Sequence, residues 1–259
     1  MFTVIIPTHD RPLLLRRTLQ SLIAQTYKDF TVVIVADSSG YLPPYEELAQ
    51  LTGRYVYVIR SGIGGPAESR NMGLSLVKSR YVIFLDDDDT FEPGHLQALA
   101  DGIGDSSPEI LFCDFKILNE DRTVSPPQYL STMDVSIADV TQNSVYVRNR
   151  IPNSSLVYDS RIVMPVKYDT DLIIYEDWDF LLDCLKGRTL GYLPINSVVI
   201  HKSSATAPEN MRRGNTHDEK IIEVMLHLYK KHPAPNAETR LARQALLAGA
   251  GVSLPLEHF

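Results

Sequence analysis

Four consecutive aspartates form the densest group of candidate functional side chains in this 259-residue sequence. They are Asp86, Asp87, Asp88 and Asp89, directly after the apolar run YVIFL at 81–85. Adjacent carboxylates repel one another, and in isolation at least one of them would take up a proton. A hard divalent cation relieves that repulsion, and Mg²⁺ or Mn²⁺ would keep positions open for substrate phosphates. We therefore expect a metal site here; a solvated acidic turn is the alternative.

A second acidic group, Glu176, Asp177 and Asp179, begins a helix predicted over 175–186. Carboxylates at a helix start are also favoured by the helix dipole, which is the purely structural interpretation. If this helix start faces the same cleft as the four aspartates, one carboxylate could accept a proton from a reacting hydroxyl group.

Polar residues also follow the other predicted strands: Pro7 and Thr8 after 2–6, and Asp37 after 31–35. The glycine-rich segment 61–67 follows a third strand and opens a helix that carries Arg70. Such a turn at a helix start can approach a phosphate closely. Its spacing fits neither a dinucleotide-binding fingerprint nor a P-loop, so a solvated Arg70 and simple turns stay open as alternatives.

The elements that must position these residues alternate regularly in the first half of the chain. Strands are predicted over 2–6, 31–35, 55–59, 81–85 and 110–114, and helices over 11–27, 43–51, 66–78 and 93–103. Asp10 is the predicted N-cap of the first helix. Apolar strands separated by helices favour an α/β fold with a parallel sheet covered on both faces. Ligands of such sheets bind beyond the carboxyl ends of the strands.

The second half is less regular. Residues 116–170 are polar and proline-punctuated, and we expect mainly loops there. A helix over 175–186 and a strand over 197–201 follow, then helices over 217–231 and 237–248. The helix over 217–231 is amphipathic, which favours covering the core; peripheral membrane association is the alternative.

Composition excludes some classes of function. The net charge of -7 argues against a general nucleic-acid binder, which needs a basic face. Cys113 and Cys184 lie in apolar runs and are expected to be buried thiols. The sequence opens on a strand without a basic leader, and its apolar runs fall short of the roughly 20 residues of a membrane span. Cytoplasmic residence is the expectation.

Taken together, five motifs resemble the inverting, GT-A-fold glycosyltransferases of family 2. They are VIIPTHDR, VIVADSSG, GGPAESRNMGL, FLDDDD and YEDWDF, in the family's order and spacing over residues 2–205. The resemblance implies a Rossmann-like nucleotide-binding sheet with helices on both faces, plus C-terminal helices. It implies a GT-A domain over 1–205, with a nucleotide-sugar-binding half at 1–115 and an acceptor half at 116–205, and a helical extension over 206–259.

The resemblance also assigns roles to individual residues. Asp177 would be the general base, with Glu176 in support, and Asp88 would bind Mn²⁺ or Mg²⁺. His201 lies where some members have a metal or diphosphate ligand, and a purely structural histidine at a strand end is the alternative. The residues expected to contact the donor are Pro7, Thr8, Asp37, Arg70, Asp86 and Asp87. A loop carrying Lys202, Arg212 and Arg213 would close over the diphosphate, unless these charges are simply solvated. Ala36, Ser38 and the pair His9-Asp10 depart from the family pattern and weaken any inference about which base is bound.

The implied function is transfer of a sugar, with inversion, from a nucleotide-diphosphate sugar to a hydroxyl group. UDP is the expected nucleotide only because UDP-sugars are the commonest donors in the family. The acceptor would be a glycan or a lipid-linked hydroxyl, in bacterial polysaccharide synthesis at the inner face of the membrane. Residues 86–90 also fit the Asp-x-Asp-x-Thr motif of haloacid-dehalogenase-type phosphohydrolases, with Asp86 as nucleophile and Asp88 as general acid. That motif usually follows a first strand, whereas this one follows the fourth. A catalytically silent nucleotide-sugar-binding module is the third hypothesis.

Overall fold

The computed structural model describes residues 1–38, 40, 42–62, 65–105, 107–203 and 218–259. Its first half contains β1 (Phe2–Thr8), α1 (Pro12–Ile23), β2 (Phe30–Ala36), α2 (Tyr45–Gln50), β3 (Tyr55–Ile59), α3 (Pro66–Ser75), β4 (Tyr81–Phe84), β5 (Thr90–Phe91) and α4 (His95–Gly102). The predicted alternation of strands and helices is confirmed here, with helices a few residues shorter than expected.

The second half contains β6 (Ile110–Asp121), β7 (Gln128–Val135), α5 (Gln142–Val145), β8 (Leu156–Asp159), α6 (Ser160–Val163), α7 (Glu176–Leu185), β9 (Leu190–Ser203), α8 (Asp218–Lys231) and α9 (Ala237–Gly249). The main sheet has the order β3-β2-β1-β4-β8-β6-β9-β5, and β7 pairs with β6. Strands β1 to β4 run parallel. Their carboxyl ends therefore lie at one edge, as predicted. The expected α/β fold is confirmed, but the sheet as a whole is mixed rather than parallel, because β5, β7 and β8 pair antiparallel with their neighbours.

The expectation of a mainly looped segment over 116–170 is wrong. Strand β6 continues to Asp121 and forms a hairpin with β7, while β8 inserts antiparallel between β4 and β6. Almost every residue of β7 is exposed, so the strand lacks the alternation of apolar and polar residues that marks a half-buried strand. Strand β8 has only four residues, too few to show a period.

The start of α1 also differs from the prediction. The helix begins at Pro12, its N-cap residue is Arg11, and no side chain caps it. Asp10 instead adopts a left-handed backbone conformation with φ of 48°, which aspartate tolerates better than most residues. Its carboxylate accepts a hydrogen bond from Ser38, and so it joins the end of β1 to the segment after β2.

The C-terminal helices are confirmed, and they share the core of the sheet domain. Met225, Leu228 and Tyr229 of α8, Leu247 of α9 and Phe259 belong to the same cluster of buried apolar side chains as the central strands. Both cysteines are buried and unpaired, as predicted. Among the residues that the structure describes, no helix combines the length and the apolar character that crossing a bilayer would require.

Candidate active site

The carboxyl ends of β1, β2 and β4 bring three predicted groups to one edge of the sheet. Thr8 ends β1, Asp37 follows β2, and Asp86 follows β4 after Leu85. A cavity of about 410 Å³ opens at this edge, between the start of α1 and the segment that leads to α2. Thr8, Arg11, Ala36, Ser38, Leu42 and Tyr57 contribute to its lining, whereas Asp86 and Asp177 lie outside it. The cavity therefore adjoins the acidic groups without containing them.

The first three aspartates after β4 are bound by arginines. Arg70 Nη2 lies 2.9 Å from Asp86 Oδ1. Arg11 pairs with Asp87 and, at 3.4 Å, with Asp88. Each of these contacts spans the fold, since the partners come from α3 and from the loop before α1.

Two further contacts complete the turn. Arg122 Nη1 lies 3.1 Å from Asp88 Oδ2. Asp89 accepts a hydrogen bond from Ser154 Oγ at 2.9 Å and one from the backbone N–H of His201 at 3.1 Å. Guanidinium groups thus already compensate the charges of Asp86, Asp87 and Asp88, so a metal is not required to relieve the repulsion among these carboxylates.

Asp87 is the most enclosed of the four side chains. It is fully buried and accepts a hydrogen bond from Thr8 Oγ1 at 2.7 Å in addition to its pair with Arg11. Burial raises the pKa of Asp87 to about 7, although the Arg11 charge opposes that change. The structure thus gives Asp87 and Thr8 an internal contact that fixes the turn to β1. Their predicted contacts with the donor stay predictions.

His201 lies inside a second polar network. Its Nε2 is 2.9 Å from Thr90 Oγ1, and its Nδ1 is 3.4 Å from Glu120 Oε2. Burial lowers the pKa of His201, and the hydrogen bond with Glu120 opposes that change. A metal bond to His201 would have to replace one of these contacts, so its role as a ligand stays a prediction.

Glu120 joins that network to the aspartate turn. Arg17 Nη1 lies 2.6 Å from Glu120 Oε2, and Arg122 Nε lies 2.7 Å from Glu120 Oε1. Burial raises the pKa of Glu120, but hydrogen bonds from His201, Arg17 and Arg122 outweigh it and hold the pKa below its ordinary value. The sequence analysis did not single out Arg17, Glu120 or Arg122. The last two lie in the segment that was taken for loops.

The chemistry of the donor set bears on a bound metal. Asp86 and Asp88 offer carboxylate oxygens, which Mg²⁺ and Mn²⁺ prefer. The Asp86 side chain is 31% exposed, whereas that of Asp88 is 3% exposed and lies against Arg122. A cation could therefore approach Asp86 directly, whereas at Asp88 Oδ2 it would have to displace both Arg122 and Arg11.

Within the described ranges, one group of three His, Cys, Asp or Glu side chains has its ligand atoms close enough to share an ion. It consists of Asp179, Asp183 and His232 and does not include Asp88. The ammonium of Lys231 already lies 2.7 Å from Asp179 and 3.8 Å from Asp183. A positive charge therefore occupies this group, which makes it a poor second site for a cation.

Arg70 connects the two acidic motifs. It is fully buried on α3, and its Nη1 lies 2.7 Å from Glu176 Oε1 while its Nη2 reaches Asp86. Its guanidinium stands over the ring of Tyr168, 5.3 Å from the centroid. Arg70 was predicted to contact the donor, and Glu176 to support the base. The structure shows that they bind each other, so Arg70 holds the start of α7 beside the end of β4. Their predicted roles toward the donor and the base stay predictions.

A glycine in the same helix explains how Arg70 comes so close to the strand ends. A Cβ on Gly73 would clash with Ile5 of β1, so only glycine lets α3 pack at this distance from the sheet. The motif RNMG thus combines the bridging arginine with the glycine that brings its helix against β1.

Asp177 lies at the start of α7 and keeps partial access to solvent. Burial raises the pKa of Asp177 to about 6, the charge of Glu176 acts in the same direction, and Arg70 opposes both. The residue before the motif, Tyr175, has a left-handed backbone with φ of 61°, which is costly for a bulky side chain. A strained backbone and a raised carboxyl pKa are both typical of a catalytic site.

Asp37 is a buried hydrogen-bond acceptor at the carboxyl end of β2. Its side chain is 4% exposed, and it accepts a hydrogen bond from the backbone N–H of Gly65 at 2.7 Å. It also contacts His9 Nδ1 and lies 3.5 Å from Arg60 Nη2. The carboxylate thus ties the glycine-rich turn to β2, and its predicted contact with a base stays a prediction. Arg60 was not foreseen.

The predicted diphosphate loop is only partly described. Lys202 is exposed at the end of β9. Arg212 and Arg213 lie outside the described residues, so the predicted loop stays a prediction.

The comparison with protein families decides the class of this site. The model of "Glycosyl transferase family 2" matches residues 3–160, which span β1 through β8 and all four aspartates. The chain belongs to glycosyl transferase family 2. It is a glycosyltransferase, and the phosphohydrolase alternative is excluded.

Individual relatives agree with the family. The succinoglycan biosynthesis protein ExoW of Rhizobium meliloti is 45% identical over 100 residues, which cover 36% of this chain and 31% of that protein. The poly(ribitol-phosphate) β-N-acetylglucosaminyltransferase TarP of Staphylococcus aureus is 25% identical over 256 residues, 92% of this chain and 75% of that protein.

A solved structure confirms the fold. The structure of S. aureus TarS 1-349 in complex with UDP-GlcNAc aligns with a TM-score of 0.67 at 16% identity, covering 95% of this chain and 71% of that one. This likeness confirms the GT-A fold that the motifs predicted.

Proposed function

We propose that this glycosyltransferase moves a sugar from a nucleotide-diphosphate sugar to a hydroxyl acceptor with inversion at the anomeric carbon. The observation that carries this proposal is the bridge that Arg70 makes between Asp86 and Glu176. The bridge joins the residue before Asp177 to the residue that follows β4, and with the raised pKa of Asp177 it supports a base near the proposed donor site. An acceptor bound near Asp177 would then meet a donor bound across β1, β2 and β4.

In the proposed reaction the acceptor oxygen attacks the anomeric carbon from the side opposite the diphosphate. The new carbon–oxygen bond forms as the bond to the diphosphate oxygen breaks, and the nucleoside diphosphate leaves with that electron pair. The acceptor proton passes to the Asp177 carboxylate. A base with a pKa of about 6 is ionised at neutral pH and still accepts a proton well, which general-base catalysis requires.

A divalent metal is the second part of the proposal. Asp88 and His201, the predicted ligands, would hold Mn²⁺ or Mg²⁺ together with Asp86, and the cation would supply positive charge to the departing diphosphate. Arg122 and the Nη1 group of Arg11 would have to give up Asp88 to the metal, and Arg17 would keep Glu120 compensated. Arg11 stays paired with Asp87 and fixes the turn.

The identity of the donor and acceptor is inferred from relatives. The TarS structure contains UDP-GlcNAc, and TarP is named as a transferase to poly(ribitol-phosphate), which favours a UDP-sugar donor and a polymer acceptor that carries hydroxyl groups. ExoW is named as a succinoglycan biosynthesis protein, in line with a glycan or lipid-linked acceptor.

Location and domain division are further parts of the proposal. We propose that the reaction takes place in the cytoplasm, at the inner face of the membrane. We divide the chain into a nucleotide-sugar half, residues 1–115, an acceptor half, 116–205, and an extension, 206–259.

A donor panel tests the proposal. The protein is incubated with UDP-, GDP-, ADP- and dTDP-sugars in Mn²⁺, with and without glycan acceptors, and the released nucleotide and the product anomer are measured. Acceptor-dependent release from one donor, with an inverted anomer by NMR, is the expected result. A retained anomer would refute the single displacement. Tight donor binding with neither transfer nor slow hydrolysis would instead support the silent binding module.

A further inference from the structure

Helix α7, which carries Asp177, is held by contacts on the face opposite the Asp177 side chain. Asp179, two residues further along α7, is fully buried. It accepts a hydrogen bond from Lys231 Nζ at 2.7 Å and one from His232 Nε2 at 2.7 Å. Lys231 is the last residue of α8, and His232 follows it. Successive helical residues are about 100° apart, so the side chains of Asp177 and Asp179 leave the helix in nearly opposite directions.

The residue between them is held by the same C-terminal helix. The Trp178 indole N–H donates to the carbonyl of Val145 at 2.8 Å. Its ring packs edge-on against Tyr229 of α8, with centroids 6.2 Å apart. Both residues that follow Asp177 therefore contact α8 or groups that α8 supports.

Helix α8 is in turn fixed by α9. Arg243 is fully buried and donates to the carbonyl oxygens of His232 at 2.8 Å and Tyr146 at 2.8 Å. Its guanidinium lies 4.2 Å from the centroid of the Tyr229 ring. The two C-terminal helices thus form a firm support behind α7, continuous with the core.

We propose that Lys231, through its ion pair with Asp179, is a positioning residue. It fixes the rotation of α7 and so holds the Asp177 side chain toward Asp86 and the carboxyl end of β4. The inference rests on the proposed role of Asp177 as the base. Asp183 lies 3.8 Å from the same ammonium and adds a second attraction on the same side of the helix. On this view residues 218–259 are part of the catalytic apparatus, although they lie outside the segment that matches the family.

Lys231→Met tests the proposal, with Lys230→Met as the matched control, because Lys230 is an exposed neighbour on the same helix. We expect kcat of Lys231→Met to fall about 10- to 100-fold, the cost of misplacing a reacting group by roughly 1 Å. Donor KM should stay close to that of the wild type, because the substitution leaves the proposed donor contacts unchanged. Lys231→Arg, which keeps the charge, should recover most of the rate.

The pH profile separates positioning from mere loss of structure. The charged and titratable groups around Asp177 are Glu176 on α7, Arg70 on α3, Asp86 after β4 and the buried phenols of Tyr158 and Tyr168, and none of them is altered. If α7 rotates, Asp177 gains solvent, its pKa falls, and the acid limb of kcat/KM moves to lower pH. A drop in rate that only follows the folded fraction, with an unmoved limb, would overturn the proposal. So would an unchanged kcat.

Two further variants keep the outcome decisive. Asp179→Asn retains the shape of the side chain and should give the same signature if Lys231→Met fails to fold. Asp177→Asn, measured in parallel, separates the two hypotheses. If Asp177→Asn retains its rate, the assignment of the base is wrong; if it loses its rate while Lys231→Met and Asp179→Asn do not, only the positioning role is wrong.

Discussion

Replacing Asp177 by Asn should make the protein more stable at neutral pH while it removes transfer. Burial and the charge of Glu176 raise the pKa of Asp177 from 3.8 to about 6. The folded protein therefore binds this proton more tightly than the unfolded chain does. Above pH 6 the wild-type carboxylate is ionised in both states, and its charge destabilises the fold. The difference between the two pKa values corresponds to about 3 kcal/mol at most, because Asp177 keeps partial solvent access.

The amide mimics the protonated acid and removes this destabilisation. For a chain of this size we expect the Tm of Asp177→Asn to exceed that of the wild type by roughly 6 °C at pH 7.5. The gap should shrink as the pH falls from 6 toward 4, because the folded wild type then takes up the proton on Asp177 while the unfolded chain, with a pKa of 3.8, still keeps this group largely ionised. Thermal unfolding followed by circular dichroism at several pH values measures it.

Asp171→Asn is the matched control, since Asp171 is an exposed acid before the same helix. It should change Tm by little and leave the pH dependence as it is. The reasoning is refuted if Asp177→Asn is no more stable than the wild type at pH 7.5, or if its gain is the same at pH 4.5.

Three further predictions concern the rest of the site. The kcat/KM of the wild type should fall about tenfold per pH unit below pH 6, because the base must be ionised; a rate that is flat down to pH 5 would contradict this. EDTA should abolish transfer and Mn²⁺ restore it, whereas full activity in chelator would exclude the metal at Asp88. Gly73→Ala should lower the free energy of unfolding by about 1–3 kcal/mol through overpacking against Ile5. Gly94→Ala, where a Cβ meets open space, should cost much less; equal losses by urea unfolding would argue against the packing explanation.

Patterns local in sequence predicted much of the fold. The apolar runs of β1, β2 and β4 and the amphipathic period of α1 gave their positions to within a few residues, because buried strands and half-buried helices leave clear periods. The exposed hairpin strand β7 leaves no such period, and it was missed. The cap of α1 was misassigned because Asp10 turned out to bind Ser38 rather than the helix start.

The acidic members of the site were foreseen, but their partners were not. Asp86 stands out in the sequence because four carboxylates directly follow an apolar run, and Asp177 because an acidic group begins a predicted helix. The arginines that compensate the acidic groups come from far along the chain: Arg122 lies 34 positions from Asp88, and Arg70 lies 106 positions from Glu176. Such pairs depend on topology, here on β6 and α3 meeting the ends of β4 and α7. Local motifs therefore indicated the acidic residues, whereas the arginines that compensate their charge could be identified only from the folded structure.

The most direct test of the proposed mechanism is a single-turnover measurement on Asp177→Asn with saturating donor and acceptor, beside calorimetric titration of the donor. We expect the transfer rate to fall by at least about 10²–10⁴-fold, the usual contribution of a general base, while donor affinity stays close to that of the wild type. Transfer at a rate near that of the wild type, with the donor bound equally well, would show that another group removes the acceptor proton.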